Sequence, residues 1–163
     1  MGIRQRKTEA DYINIKTSLG ADNWVFMGTG FTTIDEKPGG ETTEKRYVCD
    51  ATASQSLSSY KWQADFEADQ IEDDDAIEYI VAIGKELKTG GNCETDYIKV
   101  DLDKQGEAEN TYYARKFHVA VQVSEFPNND GELGVSGSFL ALGDPVIGTF
   151  NVTDKSFTKK TTS

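Results

Sequence analysis

The stretch that most constrains this chain lies near its C-terminal end, over residues 111–150: TYYARKFHVAVQVSEF, PNNDGE, LGVSGSFLALG and DPVIGTF. From Arg115 to Val123 apolar and polar residues alternate. Phe117, Val119, Val121 and Val123 fall on one side, and Lys116, His118, Ala120 and Gln122 on the other. Successive side chains of a strand point to opposite faces, so this period describes a pleated strand with one buried face. Asn128, Asn129, Asp130 and Gly131 follow, residues that accept the positive φ of tight connections. Alternation resumes through Leu133, Val135, Gly137, Phe139 and Ala141. Gly134 and Gly137 interrupt it, and glycine inside a strand marks a bulge, a bend or a close backbone approach. The chain is therefore organised around a large antiparallel hairpin.

Other segments read against that hairpin. In SSYKWQADFEADQ, Tyr60, Trp62, Ala64, Phe66 and Ala68 form one face, and Lys61, Gln63, Asp65, Glu67 and Asp69 the other. That acid row is costly to bury, so it faces water or a lumen. Asp73, Asp74 and Asp75 open a helix, with Ile77, Ile80, Val81 and Leu87 as its apolar stripe and Gly90 and Gly91 as its stop. Residues 95–103 are a further strand, in which Tyr97, Lys99, Asp101 and Asp103 alternate with Ile98, Val100 and Leu102. Short strands are expected at Trp24–Met27, closed by Gly28 and Gly30, and from Tyr47. Residues 1–21 read as an N-terminal arm or short strand. Residues 31–46, with Pro38, Gly39 and Gly40, show no period and read as a long irregular loop of the kind that orders on a neighbour. A last strand spans 145–152, with Phe157 as an anchor before a basic tail over 153–163.

At 163 residues the chain is one domain with room for a real core. No run approaches the roughly 18 apolar residues of a membrane span, and the basic start lacks the apolar stretch of a secretory signal. Cys49 and Cys93 form no paired motif and are expected to be reduced thiols of a protein made in a cytoplasm. The net charge of -11 argues against a nucleic-acid binder, which needs a basic footprint. It is compatible with a surface that nucleic acid must pass without sticking.

No catalytic or cofactor chemistry emerges. His118 has no nucleophile signature beside it, and GVSGS at 134–138 runs into a β pattern where a nucleophile elbow needs a helix. GTGF at 28–31 lacks the lysine and helix of a phosphate loop. DDDAIE lacks the glycine and glutamate spacing of a calcium loop, and Asp65, Glu67 and Asp69 lack an oxygen-rich loop for a metal. The expectation is a non-enzyme without cofactor or metal. Long strands with open edges are a liability unless paired, and a closed ring of copies is the physical solution.

The order VAVQVSEF, LGVSGSFLALGDPVIGTF, NVTDKSF, preceded by WQADFEADQIEDDDAIEYIVAIG, resembles the major tail tube proteins of tailed bacteriophages, especially those of long non-contractile tails. The resemblance spans most of the chain and is strongest over 59–157. It implies a mainly β fold of two packed antiparallel sheets, a β-sandwich or barrel-like tail tube fold with one flanking α-helix. The whole chain, 1–163, is then a single tail tube domain in a virion, made in the host cytoplasm before assembly. It implies homo-hexameric rings stacked into a tube, tape-measure protein in the lumen, tail terminator and baseplate or tip proteins at the ends, and passage of double-stranded DNA during ejection, with no membrane insertion. Carried onto this sequence, ring-to-ring contacts fall on the arm, on the loop (Phe31, Ile34, Pro38, Gly39, Gly40, Arg46) and on the tail (Lys155, Phe157, Lys159, Lys160). Lumen-facing candidates are Asp65, Glu67, Asp69, Asp101 and Asp103, whose carboxylates would repel phosphate. The alternative is a monomeric β-sandwich binding or adhesion module using Trp24, Trp62 or Tyr112 as a stacking platform.

Overall fold

The alternating run at 111–125 forms the longest strand among the described residues, and the other elements are arranged about it. The structure, a computed structural model, describes residues 2–16, 21–49, 51–52 and 54–160. After a 3-10 turn (Arg6–Thr8) come β1 (Glu9–Asn14), β2 (Trp24–Phe26), β3 (Phe31–Lys37), β4 (Gly40–Lys45), β5 (Ser54–Tyr60) and β6 (Gln63–Asp69). Then follow helix α1 (Asp75–Lys85), a second 3-10 turn (Gly90–Cys93), β7 (Glu94–Gln105), β8 (Thr111–Glu125), β9 (Asn128–Asn129), β10 (Glu132–Ala141), β11 (Val146–Asn151) and β12 (Ser156–Lys159). Ten strands make one antiparallel sheet in the order β2-β1-β7-β8-β10-β6-β3, with β11 on β8, β12 on β11 and β9 on β10. β4 and β5 make a separate two-stranded sheet. The fold is mainly β, with two antiparallel sheets and one flanking helix, as expected.

The large sheet curls over itself, and this supplies its packed layers. Arg115 on β8 bonds to Glu36 on β3 although β10 and β6 lie between them in the sheet. The end strands β2 and β3 do not pair, so the curl stays open and is not a closed barrel. Inside it, Trp62 stacks on Phe117 with centroids 3.9 Å apart, and Tyr97, Phe139 and Phe66 continue the stack at 5.1 and 4.8 Å. Gly137 sits at a register shift in the β8–β10 pairing. A β-carbon there would lie 1.9 Å from the Gln122 carbonyl oxygen, so the close approach expected of that glycine is real.

Helix α1 closes one side of the curl with Ala76, Ile77, Ile80 and Ile83, a three- and four-residue spacing. Burying each isoleucine contributes about 1.5–3 kcal/mol. Asp74 caps the helix by accepting from the Ile77 amide at 3.2 Å. Leu87, expected on the apolar stripe, instead takes a left-handed φ of 53° past the helix end and is exposed, and Ile83 holds its place in the core. A second core lies on the other face of the β2-β1-β7-β8-β11 portion, where Tyr12, Trp24, Ile98, Val100, Ala114 and Phe150 pack with Phe157 at the edge. β7 thus buries both faces over Tyr97–Asp101, which its simple alternation did not reveal.

Two expectations are corrected here. Residues 31–46 are not an irregular loop: β3 pairs with β6 and β4 with β5, joined by a turn at Pro38 and Gly39. Phe31 and Ile34 face the main core, Ile34 being buried. Their three-residue spacing hid the strand, because a register shift between Phe31 and Thr33 breaks the period of two. The N-terminal arm, in turn, is largely β1, an interior strand with five buried residues, preceded by the Arg6–Thr8 turn. Met1 and residues 17–20 of that arm lie outside the described residues, as do 161–163 of the tail.

Candidate assembly surfaces

The strand register decides which candidate residues share a face. β6 sends Ala64, Phe66 and Ala68 inward and Gln63, Asp65, Glu67 and Asp69 outward. On the same outer face, Asp65 lies opposite Asp35 of β3 and Ser138 of β10, Glu67 lies opposite Thr33 and Ser136, and Ser138 lies opposite Gln122 of β8. The three β6 carboxylates therefore stand together on a broad polar surface of small side chains. Lys37 pairs with Asp65 at 2.5 Å, and Ser138 donates to the same carboxylate at 2.6 Å. These two donors hold Asp65 below the usual aspartate range. Asp35 and Lys37 belong to this face and were missed, because their strand was read as a loop.

Asp101 and Asp103 do not join that surface. Asp101 pairs with Tyr113 of β8 in the register in which Tyr97 pairs with Phe117, so it points to the interior face, and it is buried. There it belongs to an ionic cluster fed by the N-terminal segment. Arg4 donates two hydrogen bonds of 2.9 Å to Asp103, a third to Glu9, and lies 3.0 Å from Asp101 Oδ1. Arg6 pairs with Asp11, which also accepts from the Tyr97 hydroxyl and from Lys99 at 3.2 Å. Lys99 and Asp11 are both nearly fully buried, a position tenable only because each is paired. Burial and the neighbouring Asp11 push the Tyr97 hydroxyl well above its ordinary value. The Arg4 guanidinium holds Asp103 below its own. Arg4 and Asp103 are 99 positions apart, and no local pattern signals such a pairing.

The other contact candidates divide by environment. Phe31 and Ile34 are core residues, and Gly39, at a φ of 62°, makes the turn whose carbonyl accepts from the Lys61 amide. Gly40 begins the β4–β5 hairpin, every strand residue of which is exposed, and Arg46 is exposed just beyond β4. Leu57 and Tyr60 of that hairpin are more than half exposed. Lys155 occupies the β11–β12 turn with a φ of 54°. Phe157 packs at the second core with Lys116 Nζ 5.3 Å over its ring, so it anchors its own chain. Lys159 and Lys160 are exposed.

No protein-family model matches this sequence, and no curated protein matches it. Solved structures do match the fold. A chain in the virion of a native gene transfer agent particle superposes with a TM-score of 0.56 at 11% identity, over 96% of this chain and 99% of the other. A chain in the tail of an empty gene transfer agent particle, determined with helical refinement and C6 symmetry, gives 0.56 at 10% identity over the same shares. The fold is one found in the tail of a gene transfer agent particle. A chain of the six-fold symmetrised baseplate of the anti-feeding prophage gives 0.50 at 8% identity, over 90% of this chain and 97% of the other.

The burial of its aromatic residues leaves little room for the stacking-platform alternative. Trp24 and Trp62 are both buried, Trp62 with its indole N–H donated to Glu36 at 2.7 Å, and Tyr112 packs against the second core. His118 lies exposed on the outer face, its Nδ1 3.0 Å from Asp96 Oδ1, with no nucleophile in that pairing. Among the described residues no group of three or more His, Cys, Asp or Glu side chains is arranged to hold a metal ion. No described helix is long and apolar enough to cross a membrane.

Proposed function

We propose that this chain is a structural subunit of a phage-type tail, six copies forming a ring and the rings stacking into a tube that conducts double-stranded DNA during ejection. The observation that carries the reading is the near end-to-end correspondence with a chain of a six-fold tail, covering 96% of this chain and 99% of that one. A likeness over a shared motif would not extend so far in both directions. In this reading the outer face of β3, β6, β10 and β8 lines the bore, with Asp65, Glu67 and Asp69 as its carboxylates. Fixed negative charge in a narrow channel with low-dielectric walls repels phosphate and keeps the duplex from sticking. Ser136 and Ser138 keep the wall between these carboxylates short, and Lys37 is held in its pair with Asp65. Tape-measure protein fills the bore before ejection, and terminator and baseplate or tip proteins close the ends. The exposed β4–β5 hairpin and the C-terminal lysines then supply contacts between copies.

The baseplate likeness favours a second reading, a ring that does not repeat along a tail. Negative-stain microscopy of the purified protein at rising concentration separates the two. Tubes of indefinite length are the expected result, isolated rings support the baseplate reading, and monomers at all concentrations reject both.

A further inference from the structure

The two ends of β8 carry opposite charge that no ion pair among the described residues neutralises. At the Thr111 end, the connection from β7 and the β11–β12 hairpin enclose a depression of about 770 Å³, lined by Lys104, Lys159 and Lys160 around Tyr113 and Thr149. That volume falls within the roughly 300–1,000 Å³ of ordinary ligand sites. Glu107 is the one carboxylate among the described residues of the lining. Lys104 Nζ stands 5.4 Å from the Tyr113 ring centre, and none of the three lysines forms an ion pair among the described residues.

The opposite end presents the complement. Past β6, the Gln70 amide donates to the Leu133 carbonyl at 2.9 Å, and its side chain donates to the Gly134 carbonyl at 2.9 Å. The Gly134 amide in turn bonds to Pro127, just beyond the end of β8. This fixes the start of the turn at 70–75 beside the Glu125 end. Glu72, Asp73 and Asp75 are exposed there, with no ion pair among the described residues, while Asp74 is occupied in capping α1. The 15-residue β8 holds the two ends roughly 45 Å apart, so they cannot meet within one copy.

We propose that the acidic turn at 72–75 of one copy seats in the lysine depression of a second copy, joining copies head to tail. The inference deepens the tail-subunit reading and rests on it for the identity of the partner. A patch and its complement on different parts of one chain make a heterologous contact, and such contacts generate closed rings or filaments rather than isolated pairs. The chain carries a net charge of -11, so copies repel each other in general. The depression reverses that repulsion locally and steers approach into one orientation.

Charge reversal of full-length protein tests this, with assembly followed by sedimentation velocity and microscopy at low and high salt. Lys159→Glu with Lys160→Glu, and separately Glu72→Lys with Asp75→Lys, should each raise the concentration for half-assembly about tenfold or more at low salt, the sum of several exposed pairs. Mixing the two variants, or combining all four substitutions in one chain, should restore assembly, because complementarity returns with the signs exchanged. The restoration also shows that the variants fold. Unchanged assembly of either reversed pair, with wild-type tubes forming, overturns the inference and leaves the tail reading standing. Loss that neither mixing nor the fourfold variant restores also overturns it. Wild-type protein that stays monomeric throughout rejects the contact and the tail reading together.

Discussion

At the scale of single residues, Glu36 ties the curl of the large sheet together across its interior. It accepts from Trp62 at 2.7 Å and from both terminal nitrogens of Arg115, at 2.5 and 3.1 Å, tying an edge strand to the central one. Burial pushes its carboxyl up, but the donors from Arg115 and Trp62 outweigh that and hold it below the ordinary glutamate value. A group depressed in the folded state stabilises above its unfolded pKa, about 4.3, and loses that contribution as pH falls through its folded value. Glu36→Gln should therefore cost about 1–3 kcal/mol at neutral pH. The difference from wild type should shrink as pH drops below about 4. Urea titrations at several pH values measure both, and a pH-independent difference would reject the ionic account. Gly137→Ala places a methyl group against the Gln122 carbonyl, so it should destabilise by about 2 kcal/mol or more as β8 and β10 are forced apart. Thermal melts showing a neutral effect would mean that the bulge yields easily.

Among the elements, the β4–β5 hairpin differs from every other strand pair. None of its strand residues is buried, and a lone two-stranded sheet is marginal in water. β3, immediately before it in the chain, is hydrogen-bonded to β6 and packed on the core. Hydrogen exchange should divide this region at residue 38. Amides of β3 facing β6 should be protected in monomer and assembly alike, whereas those of 40–45 and 54–60 should exchange freely in the monomer and slow in the assembly. Equal exchange of the hairpin in both states would remove it from the contact between copies.

For the whole molecule, the question is what the polar sheet face meets. If Asp65, Glu67 and Asp69 line a bore, a six-fold ring repeats each charge around a narrow channel where screening is incomplete. Replacing all three by lysine reverses the wall and lets it grip phosphate at many points. The inward residues Ala64, Phe66 and Ala68 are untouched, so tails should still assemble, although Asp65 gives up its bonds to Lys37 and Ser138. The expected outcome is normal-looking particles with DNA release that is slow or arrested at low salt and partly recovered at high salt. Wild-type release from correctly assembled mutant particles would take these residues out of the bore.

Sequence alone determined the elements whose pattern is local. The β8–β10 hairpin, the acid row of β6 opposite its apolar row, the aspartate-capped helix and a glycine irregularity in β10 all follow from residues within a few positions of one another. Side-chain period and turn chemistry act at that range. Tertiary structure decided whatever depends on distant partners. Phe31 and Ile34 became core because the curl brings β3 over β8, and a register shift had erased the alternation that would have announced that strand. Asp101 and Asp65 look alike in their strands, yet the register puts them on opposite faces of one sheet, and β7 buries both of its faces while β6 buries one. Arg4 and Arg6 meet their acids across the fold, and neither charge nor spacing in the sequence marks those partners. Period fixes which residues share a face of a strand, and only the packing of the whole chain fixes what that face meets.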